Sequence, residues 1–396
     1  MSKKKKIILF YKNLVSRGGA ELLILKEYKY FKKMGYQVSI ITYHFNKACL
    51  FAENINYEDL FVFNSKNNFI NWLKLLKFIL QHKDSYFLIS SGRIEFYLAT
   101  LFINIKYSIH IHQPLFMSSR DKDKYSVFLK NKFVMMTKNN PLKDYFEKFE
   151  KNLNLLEKLK INLQSILTIL SYRKAQNTFV LSNYSKEEKK ILFNINAIVE
   201  KGAIEENVFK HKVKNVLPQF KNAKFKFLTI CRLDNTKRID VLIEACKLFY
   251  KHEKNFVLVI CGDGPEIDNF KNLTKINNLE NNVFFPGFIL EKDKLDYLKW
   301  PDLFISIDWA DYTISTIEAL SLGTKCLVSE EREMDKSIIQ TGLISFTKPN
   351  PQDTCKEIII STKKEITVDI KKVKRILNGY TWRQYCQNIL SHITDK

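Results

Sequence analysis

Two cations five positions apart open the chemistry of this 396-residue sequence. Arg232 follows an apolar run ending at Cys231, and Lys237 stands just before a helical pattern that begins near Ile239. At a strand's C-terminal edge such a pair suits a diphosphate. The guanidinium grips two oxygens, the ammonium adds a point charge, and together they stabilise negative charge growing on a departing group. The competing reading is two solvated cations in a chain that has 64 Lys and Arg.

Glu318 lies in the run Ile317-Glu318-Ala319-Leu320, on a helix expected to start near Thr313. Backbone N–H groups at that helix start suit phosphate oxygens, and a carboxylate one or two turns on suits a ribose diol. Gly262-Asp263-Gly264-Pro265 follows a second apolar run, where glycine permits a tight turn and close approach of a ligand to backbone. Gly and Pro are also ordinary punctuation between strand and helix. Gly18-Gly19-Ala20-Glu21 offers another loop that passes close under a ligand, or a plain turn; it is not GxGxxG. His110 and His112 alternate onto one face of a strand. His112 stands at the strand tip, where imidazole donates to a sugar hydroxyl, whereas His110 reads as a satisfied core histidine. No HxxxH, CxxC or acidic cluster suggests a metal site.

The elements that position these residues alternate between strand and helix. Ile7–Phe10, a helix over 20–34 and a strand over 38–42 form one βαβ unit, and strand patterns return at 86–90, 107–112 and 178–182, with a helix over 95–103 between the first two. From 118 to 174 a Lys-rich stretch with apolar residues at helical spacing reads as helix, partly amphipathic. A linker is expected over 205–221. A second series then gives strands at 225–230, 256–261, 283–285, 303–307 and 326–328, with helices over 241–252, 267–276 and 314–322. Such alternation predicts an α/β fold with parallel sheets covered on both faces, and two sheets in tandem facing a central cleft. The domains are expected at 1–210, with the helical insertion near 118–174, and at 211–375, with a closing segment at 376–396.

Composition narrows the class. Hydrophobic residues at 45% and charged residues at 27% exclude a disordered chain, and the length favours two domains. Lys+Arg exceed Asp+Glu by 64 to 42, a formal +22, which favours phosphate-bearing partners or an anionic membrane surface. No zinc, stacking-aromatic or helix-turn-helix pattern accompanies that charge, so no specific nucleic-acid partner is expected. Seven cysteines without a CxxC pair, and an N-terminal apolar run cut short by Lys12, predict a cytoplasmic protein with peripheral contact at the inner face of the cell membrane.

Taken in order, Cys231-Arg232-Leu233 with Lys237, Gly262-Asp263-Gly264-Pro265-Glu266, Phe285-Pro286-Gly287-Phe288 and Ile317-Glu318-Ala319 with Gly323 resemble the family-4 retaining glycosyltransferases of the GT-B fold. Gly18-Gly19-Ala20-Glu21 looks like that family's first glycine loop, and Thr381-Trp382-Arg383 like the opening of a final helix that crosses back to the N-terminal domain. The resemblance implies two Rossmann-like domains. It gives the donor diphosphate to Arg232 and Lys237, the ribose to Glu318, the transferred sugar to His112, and backbone donors to Thr313 and Ile314. It also implies a UDP- or GDP-sugar as co-substrate, a saccharide or lipid-linked acceptor, and no cofactor or required metal.

The family's motif has two glutamates eight positions apart, and position 310 is Ala. Asp311 or Asp308 substitutes for the missing carboxylate if the loop shifts. Lys201-Gly202-Ala203 also replaces the family's Asn-Gly-Val. The alternative function, which Ala310 motivates, is a non-catalytic GT-B protein that binds nucleotide or a partner.

Overall fold

The computed structural model describes residues 6–15, 18–47, 55–90, 93–112, 154–212, 214, 216–308, 312–364 and 367–394. The chain folds as two compact units, residues 1–201 with 382–396, and residues 202–381.

In the first unit seven parallel strands lie in the spatial order Leu60–Val62, Val38–Thr42, Ile7–Phe10, Tyr86–Ile89, Tyr107–Ile111, Thr178–Val180 and Ile198–Val199. Chain order reverses between Ile7–Phe10 and Tyr86–Ile89, the switch point at which open α/β sheets hold ligands. The central strands are continuous apolar runs because both faces are covered. Helices Asn68–Gln81, Arg93–Thr100 and Leu155–Lys174 bring Leu75, Phe96 and Tyr172 against Phe10, Phe87 and Ile109 on one face. Helix Gly19–Lys33 packs with the final helix, Trp382–Thr394.

The second unit repeats the plan with six parallel strands: Val283–Gly287, Phe256–Cys261, Phe225–Ile230, Leu303–Ser306, Lys325–Ser329 and Ile344–Thr347. Alternation along Phe256–Cys261 shows why the sheet is doubly covered. Leu258 and Ile260 meet Leu242 and Phe249 of helix Ile239–Tyr250, while Val257, Val259 and Cys261 face a core shared with Ile317, Leu320 and Leu377.

The units divide earlier than 210. The segment expected as linker carries structure: Val208 and Leu217 are buried in the second unit's core, as are Ala203 and Ile204 just before it, and the Ala203 N–H donates to the Tyr380 carbonyl at 2.8 Å. Apolar residues at irregular spacing hide such a segment from periodicity. At the other end, residues 376–381 stay with the second unit, and the helix joining the first begins at Trp382. Of the Lys-rich stretch, Leu155–Lys174 is one helix, and 118–153 lies outside the described residues.

Candidate functional site

The second unit's switch point lies between Phe225–Ile230 and Leu303–Ser306. Lys237, from the turn after the first strand, donates to Asp308 Oδ2, just past the second, at 2.6 Å. Arg332 Nη2 reaches Asp308 Oδ1 at 2.5 Å, and Ser306 Oγ lies 2.9 Å from the same oxygen. Arg332 Nη1 also donates to Thr316 Oγ1 at 3.2 Å, which ties this buried cluster to helix Ile314–Ser321. Burial alone would raise the Asp308 pKa, but Lys237 and Arg332 outweigh it and hold the carboxyl well below its usual range. Burial opposes the Lys237 charge, and Asp308 more than restores it, so the ammonium titrates above its usual value.

Arg232 differs from Lys237 in exposure. Its side chain is 54% exposed, with Asp234 Oδ2 3.8 Å from Nε. Its position comes from backbone: the Cys231 N–H donates to the Cys261 carbonyl at 3.1 Å, and the Leu233 N–H to the Asp263 carbonyl at 2.9 Å. The glycines of 262–264 serve this contact. A Cβ on Gly264 would lie 2.2 Å from the Leu233 carbonyl oxygen, and one on Gly262 (φ +134°) 1.8 Å from that of Cys231. Close approach of ligand to backbone was the expectation for this loop; the close approach observed is of one loop's backbone to the other's.

Glu318 is buried, and its carboxylate pairs with Lys294 Nζ of helix Glu291–Lys299 at 2.7 Å. A ribose diol bound there would share the carboxylate with an ammonium. Thr313 is the N-cap and Ile314 the first residue of the helix, as the spacing predicted. Thr313 Oγ1 caps nothing and is buried without a hydrogen-bond partner. Asp308, one candidate for the missing carboxylate, is committed to Lys237 and Arg332 inside the protein. The other, Asp311, lies with Ala310 outside the described residues.

Three residues that hold this site escaped the sequence reading. Arg332 and Lys294 partner carboxylates distant in sequence. Arg238, left-handed at φ 53°, is held by Ile307 O at 3.1 Å and Glu331 at 2.7 Å. The one available signal was Arg332 itself, a lone cation in Glu330-Glu331-Arg332-Glu333 after an apolar strand.

Residues 213–375, which span all of this geometry, match the family model of glycosyl transferases group 1. This segment is similar to the group 1 glycosyltransferase domains. The chain is 26% identical over 213 residues to an uncharacterized glycosyltransferase of Methanocaldococcus jannaschii, covering 52% of this chain and 50% of that one. It is 29% identical over 98 residues to the alpha-monoglucosyldiacylglycerol synthase of Streptococcus pneumoniae, covering 24% and 22%. The chain thus spans half or less of the length of these relatives. The Anabaena HepE structure in complex with UDP and glucose superposes with a TM-score of 0.73 at 14% identity, covering 99% of this chain and all of that one. The two Rossmann-like units are those of the GT-B fold.

The first unit carries the remaining candidates. Gly18 is the N-cap of helix Gly19–Lys33, and a Cβ on Gly19 would meet nothing within 4 Å. His110 is the core histidine its position suggested. With Glu27 and Tyr385 it forms a fully buried trio, Glu27 Oε1 lying 2.8 Å from His110 Nδ1 and 2.6 Å from the Tyr385 hydroxyl. The His112 ring meets that of His110 edge-on at 4.6 Å, and its Nε2 is buried without a partner. Burial, with His110 adding to it against the pull of Glu27, lowers the His112 pKa to about 3, so the imidazole is neutral.

Burial also raises the Glu27 pKa from 4.5 to about 7, against His112 and the Tyr385 hydrogen bond. With the folded value above the unfolded one, the stability that Glu27 contributes is present below pH 4.5 and is lost as pH rises through about 7. Glu27→Gln removes that loss. The variant is expected to unfold like the parent at pH 4.5 and to exceed it by roughly 1–3 kcal/mol above pH 7, measured by urea titration. A difference independent of pH would refute the assignment.

Proposed function

We propose that the chain transfers a hexose-type sugar from a UDP- or GDP-sugar to a saccharide or lipid-linked saccharide, with retention, as in the family-4 enzymes, in making surface polysaccharide or lipopolysaccharide. The observation that carries this reading is the pairing of Lys237 and Asp308 across the switch point of a segment similar to the group 1 glycosyltransferase domains, with Arg232 exposed beside it. In the reaction the bond between the sugar's C1 and the diphosphate breaks, a bond to an acceptor hydroxyl forms, and the nucleoside diphosphate and a proton leave. Arg232 and Lys237 supply positive charge where the diphosphate gains negative charge. Glu318 receives the ribose, Thr313 and Ile314 offer phosphate contacts at the helix start, and the neutral His112 offers its unpartnered nitrogen to the sugar.

The UDP and glucose of the Anabaena structure support a UDP-sugar, and the name of the Streptococcus relative supports a lipid-linked acceptor. Among the described residues no helix is long and apolar enough to cross a membrane, so such an acceptor is read as met from the membrane surface. The second reading, a non-catalytic nucleotide- or partner-binding protein, is favoured by Ala310 alone, and turnover by the purified chain excludes it.

Thermal shift against UDP- and GDP-sugars identifies the donor, because a ligand bound only to the folded state raises apparent stability. Arg232→Ala is the clean test, since an exposed side chain leaves the fold intact. Transfer or donor hydrolysis is expected to fall by about 10²–10³ with the thermal transition unchanged. Unaltered rates would overturn the assignment.

A further inference from the structure

The helical layer of the first unit has an outer face that the transfer chemistry does not use. Helices Asn68–Gln81, Arg93–Thr100 and Leu155–Lys174 lie side by side: Trp72 Nε1 donates to the Glu95 carbonyl at 3.0 Å, and Lys174 donates to the Thr100 carbonyl. Their inner faces fill the core, but their outer faces are not polar. On the first helix Phe69, Ile70, Leu73 and Leu80 are exposed, and after the second so are Leu101 and Phe102, the latter at 75%. The third helix exposes Leu156, Leu159, Leu163, Ile166 and Leu170, which recur at intervals of three and four and so form one stripe along it. Scattered surface apolar residues are ordinary; stripes on neighbouring helices that meet in one layer mark an interaction surface.

Charge on the same face selects the occupant. Helix Asn68–Gln81 contains no acidic residue, and its exposed Lys74 and Lys77 alternate with the apolar positions. Helix Leu155–Lys174 carries the exposed cations Lys160, Arg173 and Lys174. An apolar stripe bordered by cations, with no acid to repel phosphate on the first helix, is the composition of a helix lying in the headgroup region of an anionic bilayer. A second protein copy would bring the same cations against themselves. We propose that this layer is the surface by which the protein docks on anionic membrane, the apolar stripes entering the acyl boundary and the lysines meeting lipid phosphates. The inference deepens the lipid-linked acceptor reading by naming the surface, and it rests on the lipid part of that reading alone.

The test is co-sedimentation of the full chain with vesicles of phosphatidylcholine, with and without phosphatidylglycerol. The expected result is binding to the anionic vesicles that weakens with salt and falls about tenfold or more in Lys74→Glu/Lys77→Glu. Leu159→Gln/Leu163→Gln/Ile166→Gln is expected to lose binding too, with its thermal transition unchanged because these side chains are exposed. Equal sedimentation with neutral vesicles, or binding indifferent to both variants, overturns the proposal. So does a parent dimer in sedimentation velocity that the glutamine variant abolishes, which would assign the face to a second copy. Because the assay contains no donor, its failure leaves sugar transfer standing, and a failure of Arg232→Ala to affect transfer leaves docking standing.

Discussion

Replacing Asp308 with alanine is expected to destabilise the second unit by about 3–5 kcal/mol, the usual result of stripping the counter-charge from a buried ion pair. Two cations depend on this carboxylate. Arg332 is fully buried and Lys237 is three-quarters so, and neither has another acid within salt-bridge distance in the described structure. Asp308→Asn keeps the shape and loses the charge, so most of the effect should persist. Pairing Asp308→Ala with Arg332→Ala removes both members of the inner pair, and the double variant should lose less than the sum of the singles. Urea unfolding followed by a probe in the second unit measures all four variants, Arg332→Ala alone included. A loss below about 1 kcal/mol for Asp308→Ala would mean that the cluster is not the anchor of Lys237.

Gly262→Ala is the second large effect. The alanine Cβ would sit 1.8 Å from the Cys231 carbonyl oxygen, at a φ of +134° that L residues rarely adopt. The contact is backbone against backbone, so no side chain can swing away. We expect about 2–4 kcal/mol of destabilisation and a displaced Arg232, hence nucleotide binding weakened well beyond the stability loss. Gly19→Ala is the control. Open space surrounds its Cβ and the position is helical, so the substitution should be neutral or stabilising by up to about 1 kcal/mol. If Gly19→Ala instead reduces transfer while stability holds, the open space there belongs to a ligand. Thermal melts with and without UDP separate these outcomes.

How far the sequence could be read depended on whether the information was local. Phe225–Ile230 and Phe256–Cys261 were legible to the residue, because the first alternates apolar positions with Lys226 and Thr229 up to the break at Arg232, and the second is an unbroken apolar run ended by Gly262. Arg232, Lys237 and Glu318 were legible as strand-end and helix positions for the same reason. Their partners were not. Asp308 meets Arg332 and Glu318 meets Lys294 only after separate βα units have been laid side by side, and no periodicity records that event. Gly262 and Gly264 were legible as places where space is needed, but not that the carbonyls of Cys231 and Leu233 lie against them, since a sequence shows the need for space and not the neighbour. Leu60–Val62 and Ile198–Val199 escaped because short edge strands carry too few residues to establish a period.

The first unit is built from two separated stretches of chain, and synthesis must respect that. Residues 202–381 emerge as one uninterrupted block and can complete their own core on the ribosome. The first unit cannot, because Glu27 and His110 wait in its interior for the hydroxyl of Tyr385. The domain made first is therefore the domain finished last. Until the final helix leaves the exit tunnel, a buried acid and a buried imidazole lack their third partner. Loss of the residues from 382 onward would thus strike hardest at residues 1–201, the unit that starts farther from them in sequence.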